Sequence, residues 1–170
     1  NKEKNAEAAT EIQKRENQEE IEYLESQLVN IENCTEPDEL NEIRDELVSL
    51  SYIKTKRSRK RQKITKSKPL HYISSDGHHI YVDKNNVQND YLTTRFADPG
   101  DIWMHTKKIP GSHVIIKRTE NEVTKSAIEE GAMLASYYSK ARNSSNVPVD
   151  YTERRNVKKP SGAKPGMVVY

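Results

Sequence analysis

His71-Tyr72-Ile73-Ser74-Ser75-Asp76-Gly77-His78-His79-Ile80-Tyr81-Val82 holds two short runs of β-forming residues around an Asp-Gly pair. Strands favour aromatic and β-branched side chains, and Asp-Gly supplies the backbone freedom of a tight reversal. The stretch predicts a β-hairpin and decides that this part of the chain is built on a sheet. Beyond it, Ile102–Thr106 and His113–Lys117 read as strands joined by a turn at Pro110-Gly111. Val147–Thr152 and Met167–Tyr170 read as two more, separated by the Lys/Pro/Gly segment 158–166. Val87–Phe96 suits a short helix. Val123–Ala141 suits a long amphipathic one, with Val123, Ala127, Ile128, Gly131, Leu134 and Ala135 on one side. Strands in the majority with one long helix make the expected class α+β. No self-similar period is present, which argues against a repeat array.

Ahead of the hairpin the chain changes character. Residues 1–33 contain no Gly or Pro and are rich in Glu, Ala, Gln and Lys, all good helix formers. Aliphatics fall at Ile21, Leu24, Leu28 and Ile31, and again at Leu40, Ile43, Leu47 and Leu50, with the same 3-4-3 spacing. Between them lies helix-start chemistry, with Thr35 able to cap and Pro37 in the first turn. The two sets match in antiparallel order, Ile31 against Leu40, Leu28 against Ile43, Leu24 against Leu47 and Ile21 against Leu50. The expectation is an antiparallel coiled-coil arm over residues 1–68, ending in a basic stretch over 54–68, followed by a compact domain over 69–170. The chain opens inside a helical pattern and stops on a strand-like run, so it reads as a piece of a longer protein.

Charge is strongly segregated. Residues 1–53 carry five Lys/Arg against fifteen Asp/Glu, residues 54–68 nine against none, and residues 69–170 fourteen against eleven. Net charge thus runs −10, +9 and +3 along the chain within a total of +2. The cluster Lys54, Lys56, Arg57, Arg59, Lys60, Arg61 and Lys63 repels itself in any helix and suits a phosphate backbone; the alternative is a solvated linker. One cysteine, Cys34, excludes an internal disulfide. No apolar run approaches a membrane span, so no membrane insertion is expected.

Two polar knots remain. Lys84-Asn85-Asn86-Val87-Gln88-Asn89-Asp90 is dense in hydrogen-bonding groups that no helical or strand period explains. Its amides can read base edges or sugar hydroxyls, or can serve local turns and caps. The second knot runs from Asp101-Ile102-Trp103-Met104-His105 to Pro110-Gly111-Ser112-His113. Trp103 and His105 share a strand face, where a ring can stack on a base; the alternative for Trp103 is the core. Lys107, Lys108, Lys117 and Arg118 are available for phosphates. Asp101, His105 and His113 lack metal-ligand spacing, Ser112 lacks a nucleophile elbow, and no phosphate-cradling Gly loop is present. No metal, no cofactor and no catalysis are expected.

These motifs carry a resemblance. Ser74-Ser75-Asp76-Gly77, Lys84-Asn85-Asn86 with Gln88-Asn89-Asp90, Leu92-Thr93, Asp101-Ile102-Trp103 with His105, Pro110-Gly111-Ser112-His113-Val114-Ile115, Tyr138-Ser139-Lys140-Ala141, Val149-Asp150-Tyr151-Thr152 and Lys159-Pro160 with Gly162-Ala163-Lys164-Pro165-Gly166 occur in order. Residues from about 69 to 170 resemble the C-terminal domain of the fibronectin-binding protein A family, also called the NFACT RNA-binding domain. Asp83 departs from the family pattern, which has Gly directly before Lys-Asn. The resemblance implies a ribosome-associated quality-control factor, cytoplasmic, that binds the large ribosomal subunit and recruits tRNA to extend stalled chains. It implies RNA contact by Lys84, Asn85, Asn86, Gln88, Asn89, Asp90, Trp103, His105, Gly111, Ser112, His113 and Lys117. The family's other name implies the alternative, an adhesin at a bacterial surface that binds fibronectin and fibrinogen.

Overall fold

The computed structural model describes residues 1–55 and 66–170. Most of the basic stretch, Lys56, Arg57, Arg59, Lys60, Arg61 and Lys63, lies outside the described residues.

Two helices form the arm. α1 spans Lys2–Asn33 and α2 spans Pro37–Ser49. Pro37 opens α2, where a missing amide hydrogen costs nothing. The cap falls on Glu36 rather than Thr35, and Glu39 Oε2 accepts from the Thr35 and Glu36 amides at 2.9 and 3.4 Å. The helices run antiparallel: Tyr52 donates to Glu20 at 2.8 Å, and Tyr23 and Gln27 both donate to Glu46 Oε2.

The expected aliphatic seam is not what the arm buries. Ile21 is 50 % exposed, Leu28 61 % and Leu40 44 %, whereas Tyr23, Gln27, Val29, Asn30, Glu39, Ile43 and Glu46 are buried. Of the eight predicted seam residues only Ile43 is fully covered. The reason is a third partner. The compact domain packs against the arm through polar groups, so the helices rotate a mostly polar face inward.

The compact domain is an α+β fold. Strands β1 (Leu70–Ile73), β2 (His79–Val82), β3 (Ile102–Thr106), β4 (Val114–Ile116) and β5 (Val149–Glu153) form one antiparallel sheet in the order β1-β2-β4-β3-β5. The β1–β2 loop closes where the sequence places Asp-Gly: Gly77 has φ +92° and its amide donates to the Ser74 carbonyl at 3.0 Å. The run Met167–Tyr170 does not make a strand; a single bridge joins Lys158 to Val169. Its Gly and Pro neighbours interrupt any longer pairing.

Strand alternation sorts two cores. Ile80, Val82, Met104, Val114 and Ile116 face α4 (Lys125–Tyr137), whose Ala127 and Ala135 are fully covered. Trp103 and Ile115 point the other way, under Leu92, Ala97 and Val157, with Tyr81, Phe96 and Val168 at the margin. Each such aliphatic contributes about 1.5–3 kcal/mol on burial. α3 (Asn86–Tyr91) continues into a π-helical turn at Leu92–Phe96, so the predicted short helix exists but changes pitch halfway.

Candidate nucleic-acid interface

The first polar knot is a joint. Asn85 has an extended backbone and caps α3, accepting the Gln88 amide at 2.8 Å. Gln88 accepts from the Lys84 amide at 2.7 Å and donates to the Ser67 carbonyl at 2.9 Å. The remaining groups turn toward the arm. Lys84 Nζ meets Glu39 at 2.8 Å, Asn85 Nδ2 donates to Glu42 at 2.6 Å, and Asn86 accepts from Asn30 at 3.4 Å and donates to Ser26 at 3.3 Å. Burial raises the Glu39 carboxyl, but Lys84 and the two amides outweigh it and hold its pKa below the ordinary value. Glu46 is raised by burial, which its donors Tyr23, Asn86 and Gln27 only partly offset. Its other oxygen, Oε1, is buried without a partner.

The second knot is internal too. Trp103 has no exposed surface, and its Nε1 donates to His113 Nδ1 at 3.1 Å. That bond fixes His113 with a bare Nδ1, and burial followed by the nearby His105 ring holds its pKa well below 6.5. His105 donates from Nε2 to the Gly111 carbonyl at 3.2 Å and is also lowered, by burial. Gly111 is dictated by close approach: a Cβ there would sit 2.7 Å from Ser139 Cβ. The two segments pair across that point, and the Ser112 amide donates to the Tyr138 carbonyl at 3.0 Å.

Asp83 joins the two knots. Its Oδ2 accepts from His113 N at 2.6 Å and from Asn89 Nδ2 at 3.1 Å, and its carbonyl accepts from Ser112 Oγ at 3.0 Å. The two segments therefore converge in space, but they do not form an open polar surface. Asn85, Asn86, Gln88, Asn89, Trp103, Ser112 and His113 are all buried, with Asn89 only 1 % exposed. Hydrogen-bonding groups packed this densely mostly satisfy one another once the chain folds, though Asn89 Oδ1, like Glu46 Oε1, is buried without a partner.

Asp90 lies at the knot's edge, paired with Lys159 and accepting the Gly166 amide at 3.0 Å. This ties down segment 158–166, whose Lys164 reaches over the Tyr23 and Tyr52 rings at 5.5 and 5.7 Å. Lys117 bonds Asp101 and Asp98 at 2.6 and 2.9 Å, and these bonds raise its pKa against the opposing effect of burial.

One end of the domain presents exposed lysines. Lys107 and Lys108 lie in the β3–β4 connection and Lys140 in the turn after α4, and all three are exposed. The Lys140 amide donates to the Pro110 carbonyl at 2.9 Å, so both loops close the same end of the domain. Among the described residues none of the three takes part in an ion pair. The sequence alone does not single out Lys140 as a phosphate ligand; its signal is the Pro110-Gly111 turn, which needs a close-packed partner. Among the described residues no three His, Cys, Asp or Glu side chains gather as a metal set, and no helix is long and apolar enough to cross a membrane.

Residues 68–170 match the NFACT protein RNA binding domain, and residues 1–66 match the NFACT N-terminal and middle domains. The chain is 49 % identical to the Rqc2 homolog RqcH of Bacillus subtilis (strain 168) over 171 residues, which cover 99 % of this chain and 30 % of that protein. It is 47 % identical to the Rqc2 homolog RqcH of Streptococcus suis (strain 05ZYH33) over 135 residues, or 78 % of this chain and 24 % of the relative. The chain thus spans less than a third of the length of these relatives. Its fold is similar to the C-terminal part of the fibronectin/fibrinogen-binding protein from Streptococcus suis, with a TM-score of 0.84, 40 % identity, 97 % of this chain covered and 66 % of the other.

Proposed function

Because the chain belongs to the NFACT family, we propose that it is the RNA-binding part of a ribosome-associated quality-control factor, with tRNA and the large ribosomal subunit as partners. In this reading residues 69–170 bind RNA, residues 1–68 are an arm that places them, and the chain acts in the cytoplasm by binding rather than catalysis. The exposed Lys107, Lys108 and Lys140, gathered at one end and free of ion pairs among the described residues, carry the reading. They meet phosphates, and the buried knots behind them set their spacing. Phosphate contacts position an RNA without reading its sequence. The basic stretch supplies further phosphate contacts.

The test is tRNA binding at a series of salt concentrations. Replacing Lys107, Lys108 and Lys140 together by Gln should weaken binding and reduce the log K against log salt slope by about 0.7–0.9 for each phosphate no longer neutralised. Replacing Arg57, Arg59, Lys60 and Arg61 by Gln should flatten the slope separately. If both sets leave slope and affinity unchanged, the reading fails. A second reading, adhesion, is favoured by the similarity to a fibronectin/fibrinogen-binding protein. It predicts fibronectin binding that tolerates both sets of substitutions.

A further inference from the structure

One edge of the sheet lies beside an apolar groove. β5 ends the strand order, so one of its sides has no neighbouring strand. Its ladder with β3 runs unbroken from Thr106↔Val149 to Ile102↔Glu153. The Lys107 amide on the Pro148 carbonyl at 2.9 Å and the Arg154 amide on the Asp101 carbonyl at 2.8 Å prolong it. Antiparallel bonds alternate along a strand, so Asp150 and Thr152 turn their backbone groups toward β3 while Val149, Tyr151 and Glu153 turn theirs outward. Among the described residues no other backbone group bonds to these three outward positions.

The side chains of the same strand wall the groove. Val149 and Tyr151 stand opposite Thr106 and Met104, on the face covered by α4. Between them and α4 lies a groove of about 580 Å³, with Ile128, Met133 and Tyr137 on its helical wall. Met133 is 71 % exposed and Tyr151 57 %, so the apolar lining is open to solvent. A strand edge with unpaired backbone groups and an apolar trough alongside matches an extended peptide. Its backbone pairs with the edge, and its alternate side chains enter the trough.

Charge sets the direction. The end of α4 and the start of β5 share one end of the groove, which Arg142 lines. Its guanidinium lies 4.0 Å from the Tyr137 ring centre and donates to the Tyr137 carbonyl at 2.8 Å and to Asn33 Oδ1 at 3.1 Å. It pairs with no carboxylate among the described residues. Lys107 is exposed at the same end, beside Pro148, whereas Glu129 lines the groove nearer the start of α4. A strand antiparallel to β5 brings its C-terminal end to Arg142, where an acidic side chain finds a free cation.

We propose that the β5 edge and the groove under α4 form a docking site for an extended segment of a partner protein, apolar at alternate positions and acidic near its C-terminal end, which adds a strand antiparallel to β5. This goes beyond the RNA-binding reading and does not rest on it.

The experiment uses the whole chain and a fluorescent heptapeptide, amidated at its end, with Val or Leu at alternate positions, Thr between them and Asp last. Two controls are the same peptide N-methylated on alternate amides, which cannot pair with an edge, and the same peptide with Lys last. The parent should bind on the order of tenfold more tightly than the N-methylated form, and should slow hydrogen exchange at the Val149, Tyr151 and Glu153 amides. Tyr151→Pro removes an outward N–H but no bond to β3, and should lose the peptide. Met133→Glu, which puts a charge on the groove wall, should lose it too and keep wild-type tRNA affinity. Melting curves check that both variants fold. Arg142→Glu should reverse the preference, toward the peptide with Lys last. Equal binding of parent and N-methylated peptides, or no binding of the parent, overturns the proposal. If the parent fails to bind and Met133→Glu weakens tRNA binding, the groove belongs to RNA, and the docking site falls while the RNA-binding reading stands.

Discussion

Asn89 and His113, from the two polar knots, meet on a single oxygen: Asp83 Oδ2 accepts the Asn89 amide group at 3.1 Å and the His113 backbone N–H at 2.6 Å. Asp83 thus fastens the chain's two densest polar motifs together.

Burial pushes the Asp83 carboxyl from 3.8 up to about 7, against the pull of its His113, Asn89 and Ser112 donors. Between those two values the folded chain holds a proton that the unfolded chain has released. The group's contribution to stability therefore falls as pH rises through that window and is level above it. Asp83→Asn keeps an acceptor and buries no charge. The stability of wild type minus that of Asp83→Asn should decline by about 1 kcal/mol per pH unit across the window, measured by urea unfolding. A difference that does not vary with pH would mean that Asp83 is ionised throughout.

His113 titrates in the opposite sense. Its folded pKa is depressed, so the ring is neutral in the fold and takes up a proton on unfolding below 6.5. Its contribution is present above that pH and is lost as pH falls below it. His113→Ala should cost about 2 kcal/mol above pH 6.5, by orphaning the Trp103 indole N–H, and less below it. Trp103 is the chain's one tryptophan, so its fluorescence in denaturant reports both numbers.

Asn86 touches Ser26, Asn30 and Glu46 of the arm. Asn86→Ala should leave the sheet intact but loosen the arm, because Glu46 and Asn30 are deprived of a buried partner. Hydrogen exchange should speed up in residues 37–49 and stay slow at Val114–Ile116. Uniform acceleration in both would show that arm and sheet open as one unit.

Gly111→Ala must push a Cβ into the Ser139 side chain. Overpacking of this kind costs about 1–3 kcal/mol, and thermal melting should show it. Because the same close approach spaces Lys107 and Lys108 from Lys140, tRNA affinity should fall as well. Unchanged affinity in a folded Gly111→Ala protein would separate the lysines from this turn.

The sheet is legible in the sequence because its signals are local. Asp76-Gly77 marks the first hairpin, and alternation marks β2 and β3. The helix at 125–137 follows from its small and apolar residues at helical spacing. The arm's buried face is not legible, because a 3-4-3 aliphatic pattern assumes that apolar side chains turn inward. Here the face is chosen by the third partner, and Tyr23, Gln27 and Asn30 lie on one helical side at spacings of four and three. Facing them, Glu39, Ile43 and Glu46 repeat that spacing on α2. Those six positions are the available signal, but polar residues at helical spacing ordinarily mark a solvated surface. Dense amides in Asn85–Asn89 suggest an outward face for the same reason. Nothing in one segment alone tells whether its hydrogen-bond partners are water, a ligand or another part of the chain.

The joint between arm and domain exposes mostly amides and carboxylates when it opens, whereas the α4–sheet core exposes aliphatics. Heat capacity follows apolar exposure and is lowered by polar exposure. Release of the arm therefore carries a small heat-capacity change, and its equilibrium varies smoothly with temperature. Melting of the sheet has the curved stability profile of a hydrophobic core. An arm that opens ahead of the sheet would thus give the molecule two thermal regimes: a core with a temperature of maximum stability, and a polar joint that holds nearly alike in cold and warmth.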